Sequence, residues 1–173
     1  MKKLFTFSKK CGILYTKESP TRRLYIIMEK IKATEGRILS VDFGDTRTGL
    51  AISDESRFLA SGIGYISPGG IVKTADEVAR IAVEQKAAAI VVGHPINMDG
   101  SRGPRAERAA EFAALLGERL EGVPIALFDE RMTTMAAARY LNETNTRGKK
   151  RKGVIDTLSA QIILQNALDR LKY

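Results

Sequence analysis

Residues 37–53 read RILSVDFGDTRTGLAIS. In the first seven, Leu39, Val41 and Phe43 alternate with Ile38, Ser40 and Asp42, the period of two that belongs to a β-strand. Gly44 to Thr48 make a tight turn, and residues 49–53 (GLAIS) form a second strand. Residues 61–67 (SGIGYIS) supply a third, ended by Pro68, Gly69 and Gly70. Three short strands in succession predict an antiparallel meander.

Further along, the period changes. Thr74 followed by Glu77 has capping-box spacing and predicts a helix over 74–86, with Val78, Ile81 and Ala82 on its inner stripe. Residues 87–92 (AAAIVV) are continuously apolar, as in a buried parallel strand. Residues 93–103 (GHPINMDGSRG) are loop-rich, and Pro104 suits a first helical position. Ala109, Phe112, Ala113, Leu116 and Leu120 follow at helical spacing, and residues 123–128 (VPIALF) give another buried strand. Thr133 caps a short helix to about Leu141, and a last helix runs from about Val154 to Leu171. Meander plus two crossover units make an α/β fold: one five-stranded mixed sheet flanked by helices, since right-handed crossovers place helices on the faces. The expected strand order is 3-2-1-4-5, which is the ribonuclease H-like arrangement.

The chain has 173 residues, suited to one domain. No run approaches the roughly 18 apolar residues of a membrane helix. One cysteine, Cys11, excludes an internal disulfide and C-x-x-C motifs, and implies a reducing, cytoplasmic home. One histidine, His94, excludes multi-histidine metal sites. The net charge of +8 is uneven. The first 28 residues hold five Lys, two Arg and one Glu. Arg147, Lys149, Lys150, Arg151 and Lys152 crowd a second basic run, read as a loop, and the remaining body is mildly acidic. Such clusters attract polyanions, although the ordinary reading of a charge run is a solvated segment. Residues 1–36 show no sustained period and read as a basic extension, mobile or loosely docked, ahead of a domain over 37–173; Met28 is an alternative beginning.

The acids decide the chemistry. Asp42 nears the end of the first strand, close to the middle of the sheet. Asp129 and Glu130 lie just past the fifth strand, at the sheet edge where α/β folds bind ligands. Asp156 lies in the first turn of the last helix, with Ala160, Ile163 and Ala167 at i+4, i+7 and i+11, so it should face the sheet. Singly, each acid has a bland explanation. Asp42 could shape a turn, Asp156 could favour a helix dipole, and Asp129 and Glu130 could be solvated beside Arg131. Jointly, carboxylates converging on one sheet edge would repel, raising each pKa, and a divalent cation removes that conflict. Oxygen ligands without His or Cys suit Mg²⁺ or Mn²⁺. That is the layout of a two-metal nuclease, in which one ion activates water and the other stabilises the leaving oxygen.

Four motifs stand in order: VDFGDTRTG (41–49), VVGHPINMDG (91–100), FDERMTT (128–134) and KKRKGVIDTLSAQIIL (149–164). Together they resemble the bacterial YqgF family, described as candidate Holliday-junction resolvases and as nucleases that mature the precursor of 16S ribosomal RNA. The resemblance spans about residues 37–170 and implies a ribonuclease H-like fold. It also implies that Asp42, Glu130 and Asp156 bind two metal ions and are catalytic, with Asp129 in reserve. Arg47 and Arg131 match the family's arginines, to grip phosphate or to brace the acids. Two departures stand out: His94 occupies a position the family often fills with a hydrophobic residue, and Ser159–Ala160 stand where it usually has paired small residues. Lone in a loop, His94 reads as structural or substrate-contacting rather than as a general base.

The expected substrate is structured RNA, in ribosomal RNA maturation, with ribosomal particles as partners and Lys149, Lys150, Arg151 and Lys152 on the backbone. A four-way DNA junction is the alternative and requires a homodimer, since symmetric cleavage needs two sites. A nucleic-acid-binding assembly module without catalysis would need only the basic run. Asp42, Gly44, Thr46 and Gly49 also match the phosphate turn of sugar kinases and actin-like ATPases, but those enclose nucleotide between two such domains.

Overall fold

The computed structural model describes residues 29–129 and 149–172, the side chains of 149–154 excepted. Its elements are β1 (Arg37–Asp42), β2 (Thr48–Ser53), β3 (Ala60–Ile66), α1 (Ile71–Glu84), β4 (Ala87–His94), α2 (Pro104–Arg119), β5 (Ile125–Asp129) and α3 (Lys149–Leu171). They build one five-stranded sheet in the order β3-β2-β1-β4-β5. The meander pairs antiparallel, and β4 and β5 add parallel to β1. The α/β class, the mixed sheet and the strand order are as expected. The reason is local: alternation sets the meander, and continuous apolar runs demand a strand covered on both faces.

The alternation of β1 sorts its side chains between two cores. Leu39 and Val41 join the side covered by α1 and α2. Ile38 joins the side covered by α3. Asp42 therefore emerges on the α3 side at the carboxyl end of the central strand. Helix α3 lies flat there, with Ala160, Ile163 and Ala167 no more than 3% exposed. It is pinned by polar bonds as well as apolar packing. The Ser40 hydroxyl donates to the Ala160 carbonyl at 2.9 Å. Gln161 Nε2 donates to the Ala60 carbonyl at 2.9 Å, and the Ala60 amide donates to Gln165 Oε1 at 3.0 Å. These two glutamines satisfy backbone groups of the edge strand β3.

Several boundaries differ from the sequence reading. Helix α1 begins at Ile71, with Gly70 as its cap residue and no side-chain cap. The Thr74 hydroxyl instead donates back to the Gly70 carbonyl, and Glu77 pairs with Arg80. The capping-box spacing thus falls inside the first turns, where a threonine can bond four residues back. Strand β4 extends through His94, and β5 ends on Asp129. Helix α3 begins at Lys149, so residues 149–152 are helical and not the expected loop. Lys and Arg are good helix formers, and Gly153 costs only about 1 kcal/mol in a helix interior. The expected helix from Thr133 to Leu141 lies outside the described residues, as do residues 1–28. Packing reaches upstream of Arg37: Ile31 is fully buried, and Arg57 donates to the carbonyls of Ile31 and Gly36 and to Thr34 Oγ1.

Candidate active site

Across β1 and β2, Asp42 is the register partner of Gly49. At Gly49, α3 comes so close to the sheet that no Cβ would fit between them. A Cβ on Gly49 would overlap the main-chain carbonyl of Asp156. One residue further along α3, a Cβ on Gly62 of β3 would strike the Thr157 methyl at 2.5 Å. Two bare backbone positions therefore seat the first described turns of α3 on the sheet, and they bring Asp156 beside Asp42. Asp156 lies about two turns inside α3, not in its first turn. A dipole role at the helix start is thereby removed, while its place above the Ala160–Ile163–Ala167 stripe holds.

The electrostatics follow from that approach. Asp42 is pushed up from the ordinary 3.8 to about 6, first by burial and then by the charge of Asp156. Arg105 and the Ser159 side chain, which lies within hydrogen-bonding reach, pull it back. A rise of that size is about 3 kcal/mol of preference for the neutral carboxyl. Asp156 is partnered differently: Arg47 Nε donates to its Oδ2 at 2.7 Å, with both side chains about a quarter exposed. The Arg47 guanidinium also lies over the Tyr65 ring, 5.9 Å from its centroid. Of the two roles open to Arg47, bracing an acid is the one seen here.

Among the described residues, no group of three or more His, Cys, Asp or Glu side chains is gathered. Asp42 and Asp156 come together. Glu130 and Arg131 lie outside the described residues, and the side chains of Lys149, Lys150, Arg151 and Lys152 are likewise not described. Asp129 is the last residue of β5 and pairs across the sheet with His94, the last residue of β4. His94 is thus a strand residue, not a loop residue, and only 5% exposed. Among the described residues its Nε2 has no hydrogen-bond partner. Its pKa is lowered, first by burial and then by Arg102, with the backbone of Ala106 and the charge of Asp129 opposing.

Sequence reading missed three contributors. In sequence Ser159 offers only its small size, yet it stands three residues from Asp156, a spacing that shares a helix face. Gly49 in sequence is the first residue of a strand and a match to a phosphate turn, whereas in the structure it admits another element. Arg105, in the first turn of α2, had no local signal, because only the fold carries that turn to the end of β1.

The oxygen donors present fit a hard divalent cation: a half-buried carboxyl and a second carboxylate, with no sulfur and no imidazole in the pair. Nothing in the pair fits a soft metal.

Comparison with known proteins gives the same picture. A family model described as "RuvX: Holliday junction resolvase" matches residues 36–170. A protein of Ruminiclostridium cellulolyticum named "Putative pre-16S rRNA nuclease" is 43% identical over 136 residues, covering 78% of this chain and 95% of its own. A protein of the same name from Desulfitobacterium hafniense is 41% identical over 138 residues, covering 79% and 94%. Among solved structures, T. thermophilus RuvC in complex with a Holliday junction aligns with a TM-score of 0.51 at 12% identity, over 74% of this chain and 91% of that one. The yeast mitochondrial Holliday junction resolvase Ydc2 aligns with a TM-score of 0.52 at 9% identity, over 90% and 88%. At such identities these two speak to fold alone, and they agree with the ribonuclease H-like sheet. With the family model spanning the whole body and relatives this similar along it, the chain belongs to the RuvX family, also called YqgF.

Proposed function

We propose that the chain is a metal-dependent nuclease, a hydrolase of phosphodiester bonds that trims the 5′ end of the 16S ribosomal RNA precursor. The observation that carries this is the approach of Asp156 to Asp42 over Gly49, which leaves a half-buried carboxyl strained toward its neutral form. Folding does not benefit from such a pair. Cation binding does, because a divalent ion favours the ionised form of Asp42.

In this reading Asp42, Asp156 and Glu130 hold Mg²⁺ or Mn²⁺, as two ions, and Asp129 adjoins them. When bound, the ions supply an activated water and stabilise the leaving oxygen. The residues do the rest. Strand pairing places Asp42, Ser159 orients its carboxyl, and Arg47 holds Asp156 until substrate and ions compete for both. Arg131 and the Lys149–Lys152 run of α3 contact the backbone. The unit doing this is residues 37–173, working in the cytoplasm beside ribosomal particles. Among the described residues no helix is long and apolar enough to cross a membrane.

The family description and the names of the relatives support a nuclease, and the relatives' name favours precursor RNA. A second reading rests on the family description itself: cleavage of a four-way DNA junction by a homodimer. One assay separates them. Purified protein with Mg²⁺ or Mn²⁺ is given precursor RNA and, separately, a junction. Trimming of the RNA, lost in Asp42→Asn, supports the first reading. Paired symmetric nicks on the junction by a dimer support the second. Absence of both, with tight RNA binding in chelator, would leave a non-catalytic assembly module.

A further inference from the structure

We propose that Arg102, Arg105 and Arg108, at the start of α2, form a phosphate-binding flank that grips the backbone of the nucleic acid beside the acids. The proposal rests on the nuclease reading and names part of how substrate is held. None of these arginines belongs to the four motifs that mark the family resemblance.

Three observations place them at one edge. The charge of Arg105 is felt by Asp42 at the end of β1. Arg108 Nε lies 3.1 Å from Oδ1 of Asp45, in the turn that follows β1. The charge of Arg102 is felt by His94 at the end of β4, the strand next to β1. All three are exposed, so they do little for the fold; an exposed pair such as Arg108–Asp45 contributes at most about 1 kcal/mol.

Their mounting is rigid. Ala106, Ala109 and Phe112 are buried at 0–1% exposure, and Phe112 stacks on Phe43 with ring centroids 4.5 Å apart. That stack ties α2 to the residue following Asp42. Ahead of the helix, Arg102 bridges to Ile96, and the loop between them is closed by the Asn97 amide donating to the Ser101 hydroxyl at 2.9 Å. Side chains on such a frame lose less freedom on binding.

The chemistry selects the ligand. Asp42, Asp45 and Asp156 present negative charge to whatever lies over the end of β1, so a phosphodiester there needs cations on its flanks as well as beneath it. Arg105 and Arg108 stand three residues apart, so they share one face of α2. Guanidinium groups bond phosphate through two nitrogens at once. A sugar–phosphate backbone fits; RNA and DNA share this chemistry, and the two probes below distinguish them.

The test is binding of the full chain to a 5′-extended RNA hairpin and to a four-way DNA junction, measured across about 50–200 mM salt. Asp42→Asn is the background, so that no probe is cut. On the preferred probe, adding Arg105→Gln and Arg108→Gln should weaken binding at least tenfold and flatten the log–log salt slope by about 0.7–0.9 for each phosphate no longer neutralised. Arg105→Lys with Arg108→Lys should recover most of the slope, because charge is kept. Unchanged affinity and slope in the glutamine variant, while the parent binds and the wild type cuts, overturns the flank alone. Failure of the parent to bind either probe, with no cleavage by wild type, overturns the nuclease reading and the flank together.

Discussion

Gly49 lies directly beneath the main-chain carbonyl of Asp156, with no room for a Cβ between them. The consequence is that a helix from the end of the chain rests on backbone, and its acid is lowered to the level of Asp42. Gly49→Ala should therefore lift or tilt α3. Overpacking of this kind typically costs about 1–3 kcal/mol. We expect cleavage to fall by more than the stability loss explains, since Asp156 moves with the helix. Thermal unfolding together with cleavage rates well below the melting temperature checks this; a variant with wild-type rate would show that the close approach is incidental.

Asp42 predicts opposite effects on stability and activity. Its folded pKa is raised above the unfolded value of 3.8 to about 6. Between those values the native state binds more protons than the unfolded chain, so this group makes stability fall as pH rises from about 4 to 6. Asp42→Asn removes that penalty. Without added metal it should raise the melting temperature at pH 7.5, by several degrees at about 2–4 °C per kcal/mol, and have little such effect near pH 4. The same variant should lose cleavage and also the stabilisation that Mn²⁺ confers on wild type. Calorimetric unfolding at both pH values, with and without Mn²⁺, reads all of this.

Mn²⁺ affinity should be pH-dependent for the same reason. A cation requires the ionised carboxylate, so binding is weak while Asp42 is protonated and strengthens as pH rises through about 6. Titration calorimetry at pH 5.5 and 7.5 should show tighter binding at the higher pH. Equal affinities would mean that Asp42 is not a ligand.

Arg47 competes with any cation for Oδ2 of Asp156. Because both side chains are partly exposed, the pair is worth no more than about 1 kcal/mol. Arg47→Ala should bind Mn²⁺ a few-fold more tightly. If Arg47 also transfers to substrate phosphate, the variant cleaves more slowly despite its better metal binding. Tighter metal binding with wild-type cleavage would restrict Arg47 to bracing.

His94 tests the structural reading of the lone histidine. Its Nε2 is buried with no partner among the described residues, and an unsatisfied buried polar atom costs about 1–3 kcal/mol. His94→Leu should be as stable as wild type or more so, with cleavage within about threefold. A loss beyond tenfold in a folded variant would instead place His94 in the chemistry.

Much of this protein is written in short-range pattern. Alternation in β1 assigned Asp42 to the face opposite Leu39 and Val41, and helical spacing set Asp156 at the head of an apolar stripe. Unbroken apolar runs named β4 and β5 as interior strands, and from these the sheet order follows. Each depends on neighbours within a few residues, so the chain alone carries the information. The limits of elements are less legible at Thr74 and Lys149, because capping and propensity are worth only about 1 kcal/mol each and do not fix a boundary by themselves.

What tertiary structure decided is which distant groups touch. Gly49 admits Asp156, Ser159 reaches Asp42, Arg47 holds Asp156, and α2 carries Arg105 and Arg108 to the end of β1. Periodicity tells which face a side chain takes, but not how near another element can come. That distance is set by close packing of whole surfaces, where the absence of a single methyl group at Gly49 governs the separation of two carboxylates.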